Sequence, residues 1–156
     1  MKTLLTSIAL MIAMSISAQI HVYPENDVYF GQMLLNVENG IVCPGQYSRW
    51  NEAILTVEGG AIFEGYSSSV FDLLYTFEDG KLYLQESRFT SDVLFTYEDG
   101  KIYNGDSTFM LDQKYSFTDG KVYKGTVESV FDVVLTIQGE PSIPELFAIM
   151  MVLDLL

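Results

Sequence analysis

The stretches TFEDGKLY (residues 76–83), TYEDGKIY (96–103) and SFTDGKVY (116–123) return at an unbroken spacing of twenty residues. In the fuller copy DVLFTYEDGKIYNG (92–105), Val93, Phe95 and Tyr97 alternate with Leu94, Thr96 and Glu98. A period of two among aromatic and β-branched residues predicts a strand. Asp99-Gly100 follows, and then a second alternating run. A two-residue Asp-Gly link between such runs predicts a hairpin, because a type I′ turn needs positive φ at both positions and its twist matches the flanking strands. The pair recurs at Asp79-Gly80 and Asp119-Gly120, with Asn39-Gly40 and Gly59-Gly60 as permitted equivalents. Such a turn sets the register: Glu98 faces Lys101, Tyr97 faces Ile102 and Thr96 faces Tyr103. Each hairpin then has one apolar face, formed by Leu73, Tyr75, Phe77, Leu82 and Leu84 in one copy and by Val93, Phe95, Tyr97 and Ile102 in the next.

Outward from these copies the same ruler covers Gln19 to Gln138, six lengths of twenty. One column is small and hydrogen-bonding (Asn36, Thr56, Thr76, Thr96, Ser116, Thr136) and the next is apolar (Val37, Val57, Phe77, Tyr97, Phe117, Ile137). A third runs Tyr23, Cys43, Phe63, Tyr83, Tyr103, Tyr123, and a fourth, mostly acidic, runs Gln32, Glu52, Asp72, Asp92, Asp112, Asp132. After each second strand comes Gly45, Gly65, Gly105 or Gly125, with Gln85 as the exception, where the chain is expected to turn toward the next hairpin. A fixed period of this size marks a chain of stacked supersecondary units, none of which buries its apolar face alone. Independently looped hairpins tolerate indels, whereas stacked turns do not. The expected fold is therefore all-β, with tandem 20-residue β-hairpins stacked as a solenoid or elongated antiparallel sheet, favoured over a closed barrel.

The two ends depart from the ruler. Residues 1–18 hold Lys2 and then the apolar run TLLTSIALMIAMSIS, too short to span a bilayer and followed by small residues. This predicts a signal peptide cleaved near Ala18 and a secreted or periplasmic protein. Residues 19–139 form the six-unit repeat domain, and residues 140–156 a C-terminal apolar helix. Ser142 with Glu145 three residues later, and Pro144 in the first turn, is a capping-box start. At about a dozen residues, this helix too is short of a membrane span. It is expected to cap the open end of the last repeat, with a dimer contact, partner docking or peripheral membrane association as its other uses.

The whole chain has a net charge of −13, and losing residues 1–18 removes Lys2 and no acid. No Lys or Arg cluster exists to displace counterions from a phosphate backbone, which argues against nucleic acid, and anionic membranes are disfavoured on the same ground. Cys43 is the sole cysteine, so no internal disulfide can form. It reads as a small buried substitute in the aromatic column, with Trp50 nearby to compensate. His21 is the sole histidine, and neither a Ser elbow nor a Cys-His arrangement supplies an activated nucleophile. No Cys and His cluster suits zinc. Calcium could be shared between Asp79, Asp99 and Asp119, or between Asp72, Asp92, Asp112 and Asp132, yet no known calcium-loop motif occurs and the turn already explains the Asp of Asp-Gly. No catalytic residue, metal or cofactor is expected. Tyr83, Tyr103 and Tyr123, evenly spaced opposite the core face, are the candidate ligand-surface aromatics; their alternative role is packing on Thr76, Thr96 and Ser116.

The segments TFEDGKLYL and TYEDGKIYNG resemble the choline-binding and glucan-binding repeats of secreted bacterial proteins, and DGKIYNG and DGKVYKG resemble MORN repeats. The chain has only Trp50 where the choline-binding pattern needs recurring Trp, and it lacks further Gly columns of MORN repeats. SDVLFTYEDGKIYNGDSTF is similar to small bacterial secreted proteins with an S-D-x-L-x-T-x-x-D-G-K-x-Y-x-G repeat, a similarity that covers nearly all of residues 19–156 and implies architecture rather than activity. The functional expectation is a secreted non-enzymatic module that binds a protein or a cell-surface polymer. The alternative is an envelope structural protein, self-associating through a sheet edge or the C-terminal helix.

Overall fold

The computed structural model describes residues 19–28 and 32–156. The expected signal peptide, residues 1–18, lies outside them. Among the described residues the strands are β1 (Ile20–Pro24), β2 (Leu35–Glu38), β3 (Ile41–Pro44), β4 (Leu55–Glu58), β5 (Ala61–Glu64), β6 (Leu73–Glu78), β7 (Lys81–Leu84), β8 (Val93–Glu98), β9 (Lys101–Asn104), β10 (Gln113–Thr118), β11 (Lys121–Lys124) and β12 (Val133–Gln138), followed by helix α1 (Ile143–Val152). The hairpins form where the turn chemistry puts them. Asp79, Asp99 and Asp119 have φ of 49, 48 and 50°, and Gly80, Gly100 and Gly120 have 77, 78 and 72°, which is positive at both central positions as type I′ requires. The register follows, with Glu98 opposite Lys101, Tyr97 opposite Ile102 and Thr96 opposite Tyr103.

The expected solenoid or open sheet is corrected by the pairing of the first strand with the last. β1 lies antiparallel to β12, with Val22 opposite Ile137 and Tyr23 opposite Thr136, so the described strands close into one antiparallel barrel of twelve. Closure needs curvature, and the wall supplies it with bulges. Where β5 meets β6, Phe63 faces Leu73 and Ile62 faces Tyr75, leaving Leu74 as the extra residue. The same shift recurs between β7 and β8, β9 and β10, and β11 and β12. A bulge bends its strand and increases local twist. It also moves Leu73 and Val93 from the expected core face to the outer one, opposite Phe63 and Tyr83. Closure removes the unpaired edge through which the sheet was expected to self-associate.

The lumen explains the helix. Eight strands make a barrel that side chains alone can fill, and diameter grows with strand number, so a twelve-strand barrel needs an insert. Helix α1 is that insert. Ser142 accepts the Glu145 backbone N–H at 3.4 Å while Glu145 Oε2 accepts the Ser142 N–H at 2.8 Å, completing the capping box. Leu146, Phe147, Ala148, Ile149 and Met150 are each fully buried. Around them stand Val22, Val42, Ile62, Leu82, Ile102 and Val122, one from each twenty-residue unit and all at 0% exposure. Each such aliphatic side chain is worth roughly 1.5–3 kcal/mol when fully buried. The Phe147 ring lies 5.6 Å from Phe77 and 6.3 Å from Phe95, and Tyr115 Oη donates to the Leu155 carbonyl at 2.8 Å. The helix is therefore a plug within the barrel, not a cap on a terminal repeat. A helix apolar on every side must be surrounded, and only the lumen surrounds it.

Candidate functional site: the corners between hairpins

Each hairpin is joined to the next by a corner at the barrel end opposite the type I′ turns. The corner begins with a left-handed residue. Gly45, Gly65, Gly105 and Gly125 have φ of 68, 62, 64 and 84°, and Gln85 holds 52° in the same column. The chain then folds back along the outer wall, where the small hydrogen-bonding column fastens it. Thr56 and Thr96 donate to the carbonyls of Gly65 and Gly105 at 2.7 Å, and Thr136 donates to Glu25 at 2.5 Å. Asp106 pairs with Lys81 at 2.6 Å, and its carboxylate raises the lysine pKa. Arg88 reaches Glu78 at 3.1 Å.

The chain next makes a single 3₁₀ turn at Trp50–Glu52, Val70–Asp72, Thr90–Asp92 and Met110–Asp112 before entering the following strand. The acidic column closes these corners. Asp72 and Asp112 accept the hydroxyls of Ser67 and Ser107 at 2.6 Å, and Asp92 accepts that of Ser87. The serines in turn take the backbone N–H of Ser69, Phe89 and Phe109. These carboxylates are thus engaged in the loop, and among the described residues no group of three His, Cys, Asp or Glu could hold a metal ion.

What the corners present is apolar. Phe71 and Phe131 are 94% exposed and Leu111 is 93% exposed, and Trp50, Val70, Phe89, Phe109, Met110 and Val130 also face solvent. One exposed hydrophobic is ordinary on a protein surface. Here every corner from Trp50 to Phe131 carries at least one, and the identical sequence Ser-Val-Phe-Asp occupies 69–72 and 129–132, three units apart in a six-unit ring. In the sequence these stretches read only as connections between strands. The signal available was a bulky apolar residue within the three positions before each acid, in RWNE, SVFD, FTSD, FMLD and SVFD.

The predicted aromatics fare differently. Tyr83, Tyr103 and Tyr123 lie on the outer face opposite Thr76, Thr96 and Ser116, as the register required. Tyr103 is buried at 6% exposure, and Tyr83 and Tyr123 are half-buried. On their other side stand Val93, Gln113 and Val133, so the rings belong to a thin apolar layer between the wall and its corners rather than to an open platform. Cys43 is fully buried in that layer and its thiol donates to the Arg49 carbonyl at 3.3 Å. Trp50 does not fill in for it, because the indole is 69% exposed. His21 is half-buried within β1, between Gln138 and Asn36 on the paired strands.

Two outer grooves have equivalent linings forty residues apart. One, of 520 Å³, runs between Asn39, Ile41 and Glu58 on one side and Tyr66, Ser67 and Ser68 on the other; its counterpart, of 280 Å³, runs between Asp79, Lys81 and Glu98 and Asp106, Ser107 and Thr108. No described helix is long and apolar enough to cross a membrane.

Twelve strands, closed from five hairpins and the β1–β12 pair, define a repeat barrel with a petal-like corner between units. Residues 22–150 match the family described as 6-fold beta flower protein, and the chain belongs to that family. Neither the curated proteins nor the solved structures contain a match to it.

Proposed function

We propose that the protein is a secreted, non-enzymatic binding module that engages a protein or a cell-surface polymer through the exposed side chains of its corners. The observation that carries this reading is the ring of exposed apolar tips from Trp50 to Phe131, held out on the corners of a barrel whose inward-facing Val22, Val42, Ile62, Leu82, Ile102 and Val122 are buried. Exposed aromatic and aliphatic side chains at defined positions are what binding surfaces are made of. Helix α1 occupies the lumen and leaves there a pocket of 310 Å³ beside Phe95, Tyr115, Leu155 and Leu156 rather than an open channel. The acidic charge favours neutral or basic counterparts. An envelope structural role by self-association has less support, because the sheet has no free edge and the buried face of the C-terminal helix is committed to the barrel.

The test compares the purified protein with a variant carrying Phe71→Ser, Phe109→Ser, Leu111→Ser and Phe131→Ser, for retention on washed cell envelopes and for elution volume in size exclusion. The expected result is retention that falls by about tenfold in the variant with an unchanged circular dichroism spectrum and a monomeric elution volume. Equal retention of both forms overturns the corner reading, and a corner-independent oligomer would favour the structural alternative. Export is checked separately by a mature N terminus at Gln19.

A further inference from the structure

The two equivalent grooves differ in a way that assigns a ligand class to one of them. In the groove at Asp79–Thr108, Lys81 and Asp106 face each other and their 2.6 Å ion pair bridges the opening. Forty residues earlier the corresponding positions are Ile41 and Tyr66, no charge crosses, and the groove is nearly twice as large. Tyr66 is 61% exposed there, and its ring lies 6.2 Å from that of Trp50, tilted by 56°, with Trp50 on the preceding corner. The protein's one tryptophan therefore lies against the exposed tyrosine that lines this groove, and the polar side chains lining it include Asn39, Glu58 and Ser68.

We propose that this groove binds an uncharged carbohydrate chain, with Trp50 and Tyr66 as its aromatic platform. A pyranose has an apolar face of C–H bonds and an equatorial belt of hydroxyls. The first packs on an aromatic ring, and the second needs donors and acceptors at the ring's margin. Trp and Tyr supply large, stiff contact area at little conformational cost. The Asn39 amide both donates and accepts, the Glu58 carboxylate accepts, and the Ser68 hydroxyl does either. A half-open groove passes a polymer rather than enclosing a small molecule. Glu58 is the one charged group lining it, on a chain of net charge −13, which disfavours uronic, sialic or phosphorylated sugars. This inference rests on the binding-module reading and names the ligand class of one sector of the ring.

Trp50 is its own probe, because no other indole contributes to the fluorescence. Purified protein is titrated with hexasaccharides of β-1,4-linked glucose, N-acetylglucosamine, mannose and xylose, and with a galacturonate hexamer as the charged control. The expected result is a saturable change in Trp50 emission with at least one neutral probe and none with galacturonate. Tyr66→Ala should weaken binding by about tenfold, whereas Lys81→Ala, in the bridged groove, should leave it unchanged. Silence toward all four neutral probes at up to about 10 mM, equal affinity in Tyr66→Ala, or a preference for galacturonate overturns the proposal. Silence here combined with corner-dependent retention on envelopes would sink the carbohydrate assignment while leaving the binding module in place, with a protein partner as its occupant.

Discussion

Phe147 and Phe71 are the same side chain at opposite limits: the first is 0% exposed inside the barrel and the second 94% exposed on a corner. The surrounding residues repeat the contrast. Ile149 and Met150 lie in the lumen at 0%, while Met110 and Leu111 stand outside at 69% and 93%. Residue type therefore does not set role in this chain, and place in the fold, lumen helix or corner, does. Inside, apolar residues are held because twelve strands enclose more room than their own side chains can fill. Outside, the corner is closed by polar bonds, such as Ser67 to Asp72, that do not need the tips. The exposed tips are therefore expected to contribute little to stability.

The largest effect expected from that division falls on α1. Phe147→Ala opens a cavity against Phe77 and Phe95 in a site that strands on every side keep from collapsing, and should cost about 3–5 kcal/mol in urea unfolding. Phe71→Ala, the same truncation on a corner, should stay within about 0.5 kcal/mol of the parent. Comparable losses in the two variants would break the contrast, since they would mean that the tips carry the fold or that the lumen closes around the missing ring.

The backbone sharpens the same comparison with a smaller effect. Gly40 in a hairpin turn and Gly105 at a corner both have positive φ, 76 and 64°. An added Cβ at Gly105 meets nothing within 4 Å, whereas at Gly40 it would clash with the Val57 carbonyl oxygen. Gly105→Ala should therefore cost only the left-handed penalty of about 1–2 kcal/mol. Gly40→Ala must in addition displace strand β4, and its unfolding midpoint should fall clearly further. Gln85, already at φ 52° in the corner column, shows that corners bear this strain without a glycine. Equal midpoints for the two alanine variants would show that the wall yields as readily as its corners.

The turns and the helix start were legible because each is local chemistry: an Asp-Gly pair needs only its two residues, and a capping box only Ser142 and Glu145. Closure was not. It depends on β1 finding β12, with Pro24 opposite Leu135, more than a hundred residues away, and a hairpin carries no mark that separates a stacked neighbour from a circular one. The bulges that curve the wall were hidden by their own composition. Leu73-Leu74, Val93-Leu94 and Val133-Val134 are apolar pairs, so an inserted residue leaves an alternating pattern looking continuous. Gln113-Lys114 is the one polar pair in those positions, and there the extra residue could have been suspected. The tyrosine series lies opposite Thr76, Thr96 and Ser116 as the turn register requires, but its burial follows from corners that fold back, which the Gly column announces without giving a direction.

How the corners are tied to the wall gives the finest comparison, between two members of one column. Thr96 donates to the Gly105 carbonyl at 2.7 Å. Ser116 is its equivalent one unit later, yet its hydroxyl is buried without a hydrogen-bond partner. The reason lies three residues upstream. Gln113 replaces the aliphatic residue found at Leu73, Val93 and Val133, and its amide donates to the Gly125 carbonyl at 3.0 Å, taking the acceptor that Ser116 would use. Thr96→Val keeps the volume and removes one bond, leaving a carbonyl unpaired, and should cost about 1 kcal/mol. Ser116→Ala removes a hydroxyl that was desolvated for nothing, and should be neutral or slightly stabilising. In Gln113→Leu the difference should disappear: Ser116 becomes the natural donor to Gly125, and Ser116→Ala in that background should then cost about as much as Thr96→Val does in the parent. A double-mutant cycle on Gln113 and Ser116 with no coupling would show that the two side chains do not share the acceptor, and that the sixfold fastening is less uniform than the sixfold wall.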